Sequence, residues 1–316
     1  DILKSLALEI QPIYVALYHL AAQGKVIGHD DTTVRILSLM AENKTLKEKD
    51  RKGMFTTGIL SKYEEYKIAL FVSGRNHSGE NMDDLLSNRS LEASTVIRMC
   101  DALASNLKTS FKEYLLNCLS HGRRKFFEIH KFFEKESLTV LEALGKVYRE
   151  DAFTKKEKMS DQERLEHHQK YSAPILSKLK DWFDKQFEDK LVEPNSSLGK
   201  AIQYMQNHWD GLTNFLRIAG APLDNNEVEG LLKVIIRGRK NSLFYKTEYG
   251  AFIGSMLTSI IQTCIMNGIN PFEYLVVLQK NSNFLSKTPE AWLPWNYKET
   301  LKTVAQRSQS PPILAA

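Results

Sequence analysis

The apolar residues change period twice along this chain, and those two changes restrict its fold more than any single motif does. From Ile2 to Ala22, Leu3, Leu6, Ile10, Ile13, Leu17 and Leu20 recur at steps of three and four, one face of an α-helix, and Gly24 ends the run. Val26–Leu37, Met54–Tyr63 and Tyr66–Gly74 are instead short, rich in β-branched and aromatic residues, and parted by turn or charged residues. They predict three consecutive strands in a meander. A helical stretch around Asn81–Leu86, a strand over Ser94–Cys100, a helix over Ala102–Tyr114 and a strand over Leu115–Ser120 follow. That order predicts an α/β domain with a mixed five-stranded sheet.

From His121 the second change brings a purely helical pattern for roughly a hundred residues, too long to be a loop. Ser160-Asp161-Gln162-Glu163 has the spacing of a capping box. Ser172 with Pro174 opens another helix, and Ser197 opens one expected to reach Ile218. Asn225-Asn226 begins a helix through Ile236, and Glu248–Asn267 is a long final one closed by Gly268. The expected divisions are a connecting helix over 1–24, the first part of an α/β core over 25–130, and an all-helical insertion over 131–221. The rest of the core spans 222–280 and a C-terminal tail 281–316.

Composition excludes several classes. With 42% hydrophobic and 26% charged residues the chain is an ordinary globular one, neither disordered nor collagen-like. The 43 basic against 38 acidic residues leave a net charge of +5, which permits a polyanionic partner. Cys100, Cys118 and Cys264 are far apart and form no Cys-x-x-Cys pair, so a disulfide framework is not expected. No uninterrupted apolar run of about 18 residues and no secretory pattern occurs, so a cytoplasmic protein with no membrane partner is expected. The chain opens with Asp1 and enters a helix at once, so a segment upstream of it is expected too.

Four segments carry chemistry. His29-Asp30-Asp31-Thr32-Thr33-Val34 sets acids inside a strand, where a carboxylate loses solvation unless a cation compensates it; the plain alternative is a polar strand end. Strand alternation points Asp30 and Asp31 to opposite faces. Asp101 follows the apolar run Val96–Cys100, which places it at a sheet rim where ligands bind or, equally, at the N-cap of the next helix. Glu229, Lys233 and Arg237 share a helix face, and Lys233, Arg237, Arg239, Lys240 and Lys246 occur with no acid between Gly230 and Thr247. A solvated ion-paired face accounts for part of that charge, and a phosphate backbone accounts for the surplus. Arg123, Arg124 and Lys125 form a second basic cluster where the fifth strand gives way to a helix, either for solubility or for phosphate. Cys118 and His121 form a lone Cys-x-x-His, for which core packing is the better account.

Together these segments resemble the insertion-sequence-66 family of DDE transposases. Asp30-Asp31-Thr32 with Val34 is similar to that family's Asp-Glu/Asp-Thr-Pro-Val, and Cys118–Phe126 to its Cys-Trp-Ala-His-Ala-Arg-Arg-Lys-Phe. Asn225-Asn226-x-x-Glu229 followed by Gly238-Arg239-Lys240-Asn241 and Phe244 matches its Asn-Asn-x-x-Glu-Arg and Gly-Arg-Lys-Asn-x-x-Phe without a gap. Asn267-Gly268, Asn270-Pro271, Tyr274-Leu275 and Leu293-Pro294-Trp295-Asn296 extend the likeness close to the C-terminus. Gly230, Lys233 and Thr33 depart from it, standing where the family has arginine, arginine and proline.

The resemblance implies a ribonuclease H-like core whose triad is Asp30, Asp101 and Glu229, holding Mg²⁺ or Mn²⁺, two ions in all. It also implies cleavage and strand transfer of DNA, with element terminal inverted repeats and target DNA as partners, assembly as a homo-oligomer, and accessory proteins. Under it Arg123, Arg124, Lys125, Lys233, Arg237, Arg239 and Lys240 contact DNA. The competing class is a noncatalytic or decayed DNA-binding or assembly protein that keeps the fold, its acids serving as caps and ion-pair partners.

Overall fold

The computed structural model describes residues 2–47, 50–103, 106 and 111–309. Five strands, β1 (Val26–Thr33), β2 (Phe55–Tyr63), β3 (Tyr66–Gly74), β4 (Val96–Cys100) and β5 (Glu113–Asn117), form a mixed sheet in the order β3-β2-β1-β4-β5. The expected α/β class with a five-stranded mixed sheet is therefore present. The chain forms two compact units, one of Asp1–Ser94, Thr109–Phe111 and Glu227–Ala316, the other of Thr95–Lys108 and Lys112–Asn226.

In the first unit β1, β2 and β3 are the antiparallel meander that the alternating pattern predicts, with Asp30 opposite Gly58 and Gly58 opposite Phe71. β1 stops at Thr33 rather than Leu37, because Ile36 instead bridges to Tyr245 and leads into α2 (Leu37–Glu42). Helix α1 (Ile2–Ala22) buries Ile10, Ile13 and Leu17, the apolar face read from its spacing. Helix α3 (Ser78–Leu86) follows β3.

Most of the remaining helical mass of this unit lies C-terminal. Helix α10 is Asn226–Ser242 and α11 is Glu248–Met266, followed by α12 (Pro271–Lys280), α13 (Ser282–Leu285) and α14 (Tyr297–Gln309). By length and composition α11 is apolar enough to cross a membrane, yet its polar residues have a different employment. Ser255, Ser259, Thr263 and Asn267, four residues apart, bond to the outer edge of β3. Thr263 Oγ1 accepts from Ala69 N at 3.0 Å and donates to Ala69 O at 3.1 Å, and Ser259 Oγ accepts from Phe71 N at 2.8 Å. Asn267 exchanges two bonds with Lys67 N and O, at 3.1 and 2.7 Å, and Ser255 Oγ bonds Ser73 Oγ at 2.8 Å. Four helical residues rise about 6 Å and two strand residues about 6.7 Å, so the two rows stay in step.

In the second unit β4 and β5 are parallel, Val96 opposite Glu113 and Cys100 opposite Asn117. The fifth strand lies earlier than Leu115–Ser120. Cys118 is extended and caps α4 (Leu119–Ile129), because a short apolar run suits a buried strand and a helix start equally well. Of the helix expected over Ala102–Tyr114, residues 104, 105 and 107–110 lie outside the described residues, and Glu113 and Tyr114 at its end belong to β5.

Helices α5 (Glu134–Lys156), α6 (Asp161–Tyr171), α7 (Ala173–Glu188), α8 (Ser197–Asn207) and α9 (Trp209–Thr213) follow. The capping box is present, with Glu163 N donating to Ser160 Oγ at 3.3 Å and Ser160 N to Glu163 Oε2 at 2.7 Å. The helix expected from Ser197 to Ile218 breaks at His208, whose φ of −112° and ψ of 13° leave the helical region. Val140, Leu144, Val147, Leu176 and Phe183 fill the core between these helices, with Phe183 against Phe126 of α4.

Candidate functional site

In the first unit, β1 sorts its two acids by alternation. Asp31 Oδ2 accepts from Ser78 N at 3.1 Å and meets His77 Nδ1 at 3.1 Å, so this carboxylate caps α3 and is committed to structure. Asp30 is half-buried on the other face, and its Oδ1 accepts from Asp31 N at 2.8 Å.

Directly opposite residues of an antiparallel pair share a face, so Gly58 shows what covers Asp30's side of the sheet. A Cβ on Gly58 would lie 3.0 Å from Leu232 Cδ2, which makes α10 the covering helix. Val228 and Leu231 of α10 pack with Leu60, Ala69 and Phe71 of the sheet. Glu229 precedes Leu232 by three residues, is half-buried, and occupies the adjoining surface of the helix. The fold thus brings the strand of Asp30 and the helix of Glu229 together inside one unit.

The charges of α10 divide into two kinds. Glu227 bridges Lys62 at 3.1 Å and Lys67 at 2.5 Å. Burial pushes its carboxyl up, and the two lysines more than offset this, leaving it below the ordinary value. Lys233, Arg237 and Lys240 are exposed. Arg239 is half-buried, and its Nη1 donates to Thr33 O, to Thr33 Oγ1 at 3.0 Å and to Thr32 Oγ1 at 3.5 Å. This arginine, expected on phosphate, ties α10 to the end of β1.

In the second unit Asp101 directly follows β4 and is 9% exposed. Its Oδ1 accepts from Leu103 N at 3.3 Å and from the Asn106 side-chain amide. The Asn106 carbonyl accepts from Arg98 Nη1. Arg98 is wholly buried in β4 and makes a bidentate pair with Glu113 of β5, at 2.5 and 2.6 Å. Glu113, Arg98, Asn106 and Asp101 form one connected chain at the end of β4. Motif reading missed it, although one signal was present: Arg98 is the only charge in an otherwise apolar strand, and such a charge needs a partner.

Arg123 and Arg124 on α4 are exposed, and Lys125 is half-buried with its Nζ 4.4 Å from the ring centre of Tyr204. Cys118 is buried, its Sγ accepting from Asn225 N at 3.2 Å and bonding Ser120 Oγ at 3.0 Å, so it joins the start of α4 to the segment before α10. Burial pushes this thiol's pKa up, as suits a packing cysteine.

Comparison with known proteins agrees with these motifs. The model of the family described as "Transposase IS66 family" matches residues 1–252. Three proteins of Sinorhizobium fredii (strain NBRC 101917 / NGR234) are similar. "Uncharacterized protein y4jD" is 31% identical over 185 residues, 57% of this chain and 35% of that protein. "Uncharacterized protein y4qI" is 30% identical over 188 residues, covering 58% and 34% of the respective chains. "Uncharacterized protein y4hP" is 30% identical over 194 residues, covering 57% and 35%. The matches thus span about a third of the length of these relatives. With four-fifths of its residues under one family model, the chain belongs to the IS66 transposase family.

Proposed function

We propose that this chain is the catalytic core of an insertion-sequence transposase, cutting DNA at element ends and joining the freed ends to a target. The observation that carries the reading is the covering of Asp30's face of the sheet by the helix of Glu229, with Leu232 seated over Gly58. The strand order, three antiparallel strands followed by a parallel pair, supports a ribonuclease H-like core.

Asp30, Asp101 and Glu229 are the proposed triad. Carboxylates are hard oxygen donors, so this set fits Mg²⁺ or Mn²⁺; Asp30 is a half-buried acid inside β1, and Asp101 is a buried one directly after β4. Two such ions, when bound, supply the Lewis acidity that in-line displacement at phosphorus requires. The chain's own part is positioning and charge: Leu103 N and the Asn106 side chain orient Asp101, while Lys233, Arg237 and Lys240 on α10 and Arg123 and Arg124 on α4 offer exposed cations to phosphate. The proposed partners are element terminal inverted repeats, target DNA, further copies of the chain and accessory proteins.

A second reading rests on Asp101, whose Oδ1 is already used by Leu103 N and Asn106 as a helix cap would use it. It makes the chain a noncatalytic DNA-binding or assembly protein. A metal-dependent cleavage assay on candidate element ends, with full-length protein, separates the two. The transposase reading expects Asp30→Asn and Glu229→Gln to abolish cleavage with binding retained. Cleavage that survives Glu229→Gln would overturn it.

A further inference from the structure

Beside Asp101 the second unit holds a cavity of about 190 Å³, and its wall joins parts of the sequence that the motifs keep separate. Arg124, Lys125 and Glu128 come from α4, whereas Tyr204 comes from α8, some eighty residues further on in the helical region. The two helices approach closely at Gly122, where a Cβ would lie 2.5 Å from Met205 Sδ and 3.7 Å from Tyr204 Cε1.

Tyr204 places its ring under the ammonium of Lys125, 4.4 Å from centroid to Nζ, well inside the range of a cation–π contact. A lysine side chain is rich in rotamers, so an ammonium held on an aromatic face reaches an anion with less ordering still to be done. His208, one turn beyond Tyr204, packs on the same ring at 4.9 Å. Burial and then the charge of Lys125 keep its pKa below the ordinary value.

The cavity's cations, Arg124 and Lys125, face its acids, Asp101 and Glu128. On the transposase reading Asp101 is committed to a divalent ion, and the balance then favours an anion.

We propose that this cavity is the subsite for one phosphodiester of the DNA strand presented to Asp101, that Lys125 contacts that phosphate, and that Tyr204 is the positioning residue that holds Lys125 in place. The proposal rests on the transposase reading and deepens it, because it gives the helical region a direct part in gripping the strand.

The test is the salt dependence of binding of the full chain to a fluorescein-labelled DNA duplex at fixed Mg²⁺. Lys125→Met lowers the slope of log K against log salt by about 0.9, the value for one phosphate contact. Tyr204→Leu lowers it equally, Tyr204→Phe restores it because the ring is kept, and Tyr204→Leu added to Lys125→Met changes nothing further. Tyr204→Met repeats the measurement if the leucine variant folds poorly, with circular dichroism as the check.

A slope that Lys125→Met leaves unchanged overturns the subsite together with Lys125's place in the DNA reading. A slope lowered by Lys125→Met but indifferent to Tyr204→Leu overturns the role of Tyr204 and leaves the DNA reading standing. Equal weakening by Tyr204→Leu with and without Lys125 identifies Tyr204 as a packing residue only, and also overturns the proposal.

Discussion

Leu232 of α10 occupies the space that a side chain on Gly58 of β2 would need, its Cδ2 3.0 Å and its Cγ 3.2 Å from the position of an added Cβ. Gly58→Val therefore pushes the helix of Glu229 off the sheet. Overpacking of this kind costs about 1–3 kcal/mol, read as a lower urea midpoint. Leu232→Ala in the same chain recovers part of that loss. Additive loss from the two substitutions would show that Leu232 is not what Gly58 makes room for.

Asp31 and Asp30 should fail in opposite ways. Asp31→Ala removes the cap of α3 and costs about 0.5–2 kcal/mol, while metal-dependent cleavage is retained. Asp30→Asn leaves the melting temperature nearly unchanged and abolishes cleavage. Paired thermal melts and cleavage assays check both arms, and equal loss of activity in the two variants would remove the distinction.

Arg98→Met leaves Glu113 buried without its bidentate partner, a change expected to cost about 3–5 kcal/mol. Adding Glu113→Leu restores much of the stability, since an apolar pair tolerates the same site. It does not restore the donor to the Asn106 carbonyl, so cleavage stays below that of the unaltered protein. Recovery of both stability and activity in the double variant would mean that the chain from Arg98 to Asp101 has no positioning role.

Asp151 predicts the acid limit of the second unit. Burial raises its carboxyl pKa, but a contact from His168 at 3.5 Å, Lys155 at 2.6 Å and Arg164 at 2.9 Å together pull it well below the ordinary 3.8. Because the folded-state value is depressed, the contribution to stability is fully present above the unfolded value. It is lost as the pH falls from about 4 through the folded value. Melting temperature against pH should therefore fall in that range for the unaltered protein and more gently for Asp151→Asn. Parallel profiles would exclude Asp151 as a source of the acid sensitivity.

Legibility in the sequence followed the range of the interactions. The meander was readable because alternation and turn residues are local, and Tyr66–Gly74 was obtained at both ends. The junction of β5 and α4 was not, because Leu115, Leu116 and Leu119 fit a buried strand or a helix start equally well. Asp31 as a cap was hidden by the 47 residues that separate it from Ser78, and the pairing of Arg239 with Thr33 by 206. The separation of Asp30 from Asp31 by strand face needed only the two-residue period, and the capping of α3 by Asp31 accords with it.

The row of polar side chains along α11 has a consequence for how copies of this chain can meet. Every outward main-chain group of Lys67, Ala69 and Phe71 is taken, the last carbonyl by the Tyr14 hydroxyl at 3.5 Å. A foreign strand finds no vacant rung from Lys67 to Phe71, so a second molecule cannot be zipped onto that stretch of β3 unless α11 is first peeled away. Any self-association would have to use another surface than that flank of the sheet.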